Sequence, residues 1–295
     1  MRPKAHQTLN LKLLIVAVLV AFFLLFVLRS NFSTSSTSSQ DHLSPSSQSL
    51  SQPKTWSEIN KDCSLTCTKI PPSLSQALIH YSTSSITPQQ TLKEISVSAR
   101  VLEKRSPCNF LVFGLGHDSL MWSALNHGGR TIFLEEDEAW IEQIRRRFPT
   151  LESYHVSYDS KVNEAENLME VGRGSPECTA LGDPRYSICQ LALKGLPSEV
   201  YETKWDLIMV DAPTGYHDEA PGRMTAIYTA GMMARNREGG GETDVFVHDV
   251  NRVVEDKFSN AFLCDKYMIQ QEGRLRHFTI PSHRDGAFDR PFCPL

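Results

Sequence analysis

This sequence carries no surplus of positive charge: 30 lysines and arginines stand against 34 aspartates and glutamates, a formal net charge of −4 at pH 7. Its pI is near 6.2. Nucleic-acid binding draws on a basic face, so no nucleic-acid partner is expected. The basic residues are spread along the chain, which leaves room for a local cationic pocket that takes an acidic ligand. No CxxC pair accompanies Cys63 and Cys67, so a structural zinc site has no support. Internal repeats are absent as well, which excludes a repeat architecture.

Long apolar runs are missing with one exception. Every residue of 13–28 is apolar, and Leu9 and Leu11 extend the stretch to about twenty positions, enough to cross a bilayer as a helix. Lys12 interrupts it only near its end, where the amine reaches the headgroups. Arg2, Lys4 and Lys12 precede the run while Arg29 alone follows closely, so the positive-inside rule predicts a cytosolic N-terminus and a lumenal remainder. A cleaved signal peptide fits less well, because the run is long and residues 28–32 offer no small-x-small cleavage site. The expected organisation is a cytosolic tail (1–10), a transmembrane signal anchor (11–29), a Ser/Thr-rich flexible stem (30–55) and a lumenal domain (56–295). Few apolar residues in the stem means little to offset the entropy of ordering it. Asn31-Phe32-Ser33 is a glycosylation sequon so close to the span that we expect it unused.

Seven cysteines suit an oxidising lumen. The odd number leaves at least one thiol free or paired with another chain. Cys178 and Cys189 flank a Gly/Pro-rich stretch and are the best candidates for a loop-stapling disulfide; two buried free thiols are the alternative.

Within the lumenal part, Leu74, Ala77, Leu78 and Tyr81 form a short helical stripe. Thr87, Pro88 and Gln90 read as a capping box that starts a helix toward Lys104. Leu92, Ile95, Ala99 and Leu102 would lie on its buried face. Strands are then expected at 110–113, 130–134, 154–158, 207–210 and 245–247, and helices at 118–126, 138–148, 162–169 and 224–234. This alternation predicts an α/β fold with a doubly wound, mostly parallel sheet. Such sheets bind ligands at the carboxyl ends of their strands.

Gly114 and Gly116, in Phe113-Gly114-Leu115-Gly116-His117-Asp118, follow the first strand and open a helix. Two glycines let the backbone turn tightly and approach a ligand that a Cβ would block. The third glycine of a dinucleotide fingerprint is missing, with Leu120 and Met121 near its place. That argues against a nicotinamide cofactor and for S-adenosylmethionine, which brings no pyrophosphate to the helix start. A tight turn without any ligand is the plain alternative. Glu135 ends the second strand about twenty residues after the glycines, the spacing at which a carboxylate meets a ribose diol. Glu136, Asp137 and Glu138 crowd it, so an ordinary acidic helix start competes with that reading. Tyr158 and Asp159, after the third strand, are candidates for contact with adenine.

A second constellation joins Asp211 and Tyr216, after one strand, to His248, Asp249 and Asn251 after another. Asp211 and Asp249 should therefore face the crevice of the glycines. Methyl transfer to an alcohol needs the hydroxyl proton removed, and two solutions are open. His248 or Asp211 acts as general base, or Asp211 and Asp249, with Asn251, hold a hard divalent cation such as Mg or Mn that acidifies the hydroxyl. The layout is similar to that of metal-dependent catechol-type methyltransferases. The plain alternative has Asp211 capping its loop and His248 satisfied in the core. Arg223 suits a bidentate grip on a substrate carboxylate, and Tyr216 is a second substrate-binding candidate; a solvated arginine at a helix start would look the same. Arg274, Arg276 and His277 offer another cationic cluster, or a charged strand edge.

These segments together resemble a plant polysaccharide-biosynthesis family that includes glucuronoxylan 4-O-methyltransferases. The resemblance runs from the N-terminal anchor through Cys63 to Cys293. It is carried by residues 108–118, 133–137, 205–216 and 221–231 and by His248-Asp249-Val250. It implies a Rossmann-like methyltransferase domain behind one transmembrane helix, and a single-pass type II protein of the Golgi membrane. It also implies S-adenosylmethionine as methyl donor, a preference for a divalent metal, and the roles given above to Gly114, Gly116, Glu135 and Asp211. The implied substrate is the 4-hydroxyl of glucuronic acid on glucuronoxylan, with association with other xylan-synthesis proteins open. Two alternatives within the resemblance are methylation of glucuronic acid on arabinogalactan and a non-catalytic lumenal factor for xylan synthesis.

Overall fold

A computed structural model describes residues 71–284 and 292–293. The tail, the anchor and the stem lie outside the described residues, as do Cys63 and Cys67. Among the described residues no helix is long and apolar enough to cross a membrane.

Helices α1 (Pro72–Thr83) and α2 (Leu92–Arg105) precede the sheet. The chain then runs through β1 (Asn109–Phe113), α3 (Ser119–Leu125), β2 (Arg130–Glu135), α4 (Glu138–Arg147) and β3 (Glu152–His155). Next come α5 (Ala165–Gly174), α6 (Ser198–Glu202), β4 (Leu207–Val210), α7 (Met224–Arg235), β5 (Glu242–Val247) and α8 (Val253–Ser259). A hairpin of β6 (Met268–Glu272) and β7 (Leu275–Pro281) completes the fold. The sheet order is β3-β2-β1-β4-β5-β7-β6. Strands β1 to β5 pair in parallel, while β7 runs antiparallel to both β5 and β6. This is a Rossmann-like sheet, doubly wound and mostly parallel.

The central strands are covered on both faces, as their unbroken apolar runs require. Alternate residues supply the two cores. Leu111, Phe113, Ile208 and Val210 pack on one side with Ile227 and Phe262. Phe110, Val112, Leu207 and Met209 pack on the other with Leu102, Trp122 and Ile144. Helix α7 is buried on every side, in keeping with its polarity-poor sequence. From β1 the chain winds outward to β3, then returns to place β4 on the opposite side of β1. That reversal opens a crevice beyond the carboxyl ends of β1 and β4, where Gly114 and Asp211 stand.

Three local expectations need correction. The capping box of α2 belongs to Thr91 and Glu94, not to Thr87 and Gln90: Thr91 Oγ1 accepts from Glu94 N, and Thr91 N donates to Glu94 Oε2 at 2.6 Å. Both tetrads fit the pattern, and the one nearer the amphipathic run took the helix. Strand β3 begins two residues earlier than the alternation of Tyr154, Val156 and Tyr158 indicates. Its first residue, Glu152, is held by Arg130 of β2 at 2.6 Å, a polar pairing that hydrophobic spacing does not register. The β6–β7 hairpin was not expected at all, because β6 is an edge strand with almost every residue exposed.

Cys178 and Cys189 form the expected staple, and Cys264 pairs with Cys293. Cys108 is the free cysteine among the described residues.

Candidate active site

The strand ends of β1, β2 and β4 enclose a cavity of about 300 Å³ walled by Gly114, Gly116, Glu135, Trp140, Asp211 and Gln90, among others. Gly114 has φ +122°, a conformation that side-chain-bearing residues rarely adopt, and a Cβ there would sit 3.3 Å from that of Ala212. The turn is braced from outside. Leu115 N donates to Glu135 Oε2 at 3.0 Å, and Trp140 Nε1 donates to Leu115 O at 2.5 Å. Glu135 Oε1 accepts from Glu136 N and Asp137 N. Burial nevertheless raises the Glu135 pKa, outweighing these three backbone donors.

The acidic run at the end of β2 separates into distinct tasks. Glu135 faces the cavity, Glu136 accepts from Thr214 N at 3.0 Å and so ties this corner to the Asp211 loop, and Asp137 caps α4 through Ala139 N and Trp140 N. Tyr158 and Asp159 do not line this cavity. The Tyr158 hydroxyl is buried without a partner, and Asp159 borders a separate cavity.

Asp211 follows β4, and its side chain keeps about 20% exposure on the cavity wall. Its Oδ1 lies 2.8 Å from His248 Nδ1, and its Oδ2 accepts from Gln90 Nε2 at 2.9 Å. Burial pushes this carboxyl up, but His248, Arg223 and Gln90 together hold it below the usual aspartate value. It therefore stands ionised at the cavity. Gln90 is a site residue that sequence reading assigned to a helix cap.

His248 is fully buried, and its Nε2 points away from the cavity toward Glu94 Oε2 at 3.8 Å, without a hydrogen bond. It lies behind Asp211, so of the two candidate bases only Asp211 reaches the space where a substrate would sit. Asp249 lies deeper, 2% exposed, with φ 61°. Its Oδ1 meets Arg274 at 2.6 Å, and its Oδ2 meets Arg252 at 2.9 Å and Arg223 at 3.0 Å.

Arg223 also departs from expectation. It is 4% exposed, and its guanidinium donates to the carbonyls of Pro213, His248 and Asp211. It locks the two strand-end loops together and has no edge left for a substrate. Tyr216, by contrast, is 75% exposed on the loop that follows Asp211, with its ring against His217. The expected cluster of Arg274, Arg276 and His277 is divided: strand alternation sends Arg276 and His277 to opposite faces, and Arg274 lies in the turn before β7. His277 pairs with Asp244 and Arg276 with Asp256, whereas Arg274 turns toward Asp249.

Asp211, His248 and Asp249 each bring one ligand atom to within 4.8 Å of the others. Two carboxylate oxygens and an imidazole nitrogen suit a divalent cation. Glu94 Oε2 stands 3.8 Å from the imidazole Nε2, beyond hydrogen-bond reach. The donor types suit such an ion, and its entry would require Asp249 to give up guanidinium contacts that it makes here with Arg223, Arg252 and Arg274.

Residues 93–278 match the family described as IRX15/IRX15L/GXM. Glucuronoxylan 4-O-methyltransferase 1 of Arabidopsis thaliana is 71% identical over 297 residues, covering all of both chains. Arabinogalactan O-methyltransferase 2 of the same plant is 55% identical, covering 70% of this chain and 72% of its own. Its Protein IRX15-LIKE is 37% identical, covering 72% of this chain and 68% of its own.

Proposed function

The chain belongs to the IRX15/IRX15L/GXM family, and on that premise we propose that it methylates the 4-hydroxyl of glucuronic acid side groups on glucuronoxylan, with S-adenosylmethionine as donor. One observation carries this reading: the glycine turn, Glu135 and an ionised Asp211 share one cavity. The 71% identity to a glucuronoxylan enzyme, against 55% to an arabinogalactan enzyme, supports xylan as the acceptor.

The donor supplies an electrophilic methyl on a sulfonium. Gly114 and Gly116 leave room for its chain, Glu135 offers a carboxylate to its ribose, and Asp211 presents negative charge to the cation. Asp211 receives the proton of the sugar hydroxyl as the oxygen bonds to the methyl carbon and the carbon–sulfur bond breaks. Its acceptor oxygens are aimed by His248 and Gln90, so little reorientation accompanies the step. A divalent cation held by Asp211, His248 and Asp249 would acidify and orient that hydroxyl. We place the domain in the Golgi lumen behind a type II anchor at 11–29, where other xylan-synthesis proteins are its natural partners.

The test is transfer of labelled methyl by the detergent-solubilised full chain to glucuronoxylan and to arabinogalactan, with product linkage read by NMR. The proposal expects 4-O-methylglucuronate on xylan. Transfer to arabinogalactan alone would move the acceptor, and no transfer to any glucuronate polymer would refute the enzyme reading.

A further inference from the structure

The 4-hydroxyl and the carboxylate of glucuronic acid stand on neighbouring ring carbons. Whatever receives the carboxylate must therefore lie beside the group that receives the hydroxyl, which is Asp211. Arg223 is spent on internal carbonyls, so the cation has to be sought elsewhere.

Two guanidiniums meet the requirement. Arg274 and Arg252 each reach Asp249, whose carboxylate lies within 4.8 Å of an Asp211 ligand atom, and their side chains keep 37% and 30% exposure. Arg274 is fixed from several directions. Its backbone N donates to Glu94 Oε1 at 2.6 Å, its carbonyl accepts from Val250 N at 3.0 Å, and its Nη2 donates to Gln89 O at 2.8 Å on the cavity rim. Arg252 approaches Asp249 from the other side, with Nη1 3.8 Å from Glu255. Asp249 adopts a left-handed backbone conformation that few residues tolerate, and in it one carboxylate meets both guanidiniums.

We propose that Arg274 and Arg252, oriented by Asp249, form the subsite for the uronate carboxylate, with Arg274 as the main contact. Each guanidinium has five N–H donors. Arg274 gives Nη1 to Asp249 and Nη2 to Gln89 with Nε 3.9 Å from Glu94, Arg252 gives Nη2 to Asp249, and the partly exposed remainder has donors to spare for a second carboxylate. Asp249 is then a positioning residue, and the pair selects uronate over neutral hexose. This inference rests on the glucuronate-methyltransferase reading above.

The experiment compares kcat/KM of the full chain on a xylo-oligosaccharide bearing one glucuronic acid and on its carboxyl-reduced, glucosyl counterpart. Wild type should prefer the acid by about 100-fold or more, below the roughly 10⁴-fold of a fully buried polar site because both arginines keep about a third of their surface in solvent. Arg274→Gln should shrink that preference to below about tenfold, mainly through KM for the acid, with S-adenosylhomocysteine affinity unchanged. Arg274→Lys should fall between, because it keeps the charge and loses the fork. Arg252→Gln gives an independent reading, with a smaller loss of preference expected. Retention of the full wild-type preference by both Arg252→Gln and Arg274→Lys would overturn the inference while leaving the enzyme reading intact. Failure of wild type on both acceptors would remove the enzyme reading and this inference with it.

Discussion

Asp211 and Glu135 are both half-buried carboxylates on one cavity, yet their surroundings push them in opposite directions. Asp211 meets His248, Arg223 and Gln90 and is held below the usual aspartate value, whereas at Glu135 burial outweighs the backbone donors and raises the pKa. A raised carboxyl takes up its proton while the pH is still above the ordinary glutamate range, and the protonated form is a poorer acceptor for ribose hydroxyls. Affinity for S-adenosylhomocysteine should thus decline as pH falls, starting above that range, and titration calorimetry measures it. Glu135→Gln should bind more weakly at neutral pH and show a flat profile; a sloping profile in that variant would assign the pH dependence to another group. At this scale the sequence was legible where position after a strand determines placement, as for Gly114, Glu135 and Asp211. Gln90 was not legible as a site residue, and Arg274 was legible only as part of a cationic cluster or a charged strand edge. Their roles depend on contacts across 121 and 25 residues of chain, to Asp211 and Asp249, that no local pattern encodes.

Among the elements, the turn after β1 and the segment before α2 set the cavity's shape. Gly114→Ala would place a Cβ 3.3 Å from Ala212 at φ +122°. Alanine at a positive φ destabilises by more than about 1 kcal/mol, so we expect a lower Tm together with weaker S-adenosylhomocysteine binding. Unchanged binding would show that the turn does not contact the cofactor. The buried strands β1, β2 and β4 were readable because apolar runs flanked by glycine and charge have few other solutions in an α/β chain. The β6–β7 hairpin escaped because an exposed edge strand needs no hydrophobic alternation, and Arg274 lies with Gly273 in the turn just before β7. The helix start differs from the expected one because two consecutive tetrads, Thr87 to Gln90 and Thr91 to Glu94, satisfy one capping rule.

For the molecule as a whole, the second disulfide joins the segment after α8 to Cys293 near the C-terminus. Arg235, at the end of α7, is fully buried and donates to the carbonyls of Gly231, Phe262 and Phe292 around that link. Burial lowers its pKa to about 10, so the cation persists at neutral pH. The paired change Cys264→Ser with Cys293→Ser releases a 29-residue separation and should cost about 3 kcal/mol in urea unfolding. A loss near zero would mean that Arg235 and the aromatic packing of Phe262 on Phe292 hold this corner unaided. Two such bridges suit an oxidising environment.

The central claim is that Asp211 accepts the proton of a glucuronate hydroxyl beside a methyl donor held by the glycine turn. Its most direct measurement is single-turnover methyl transfer to glucuronoxylan by Asp211→Asn, with S-adenosylhomocysteine affinity measured in parallel. The account predicts transfer slowed by about 100-fold or more, the usual scale for loss of a positioned base, at nearly unchanged affinity. Transfer at close to the wild-type rate would contradict it.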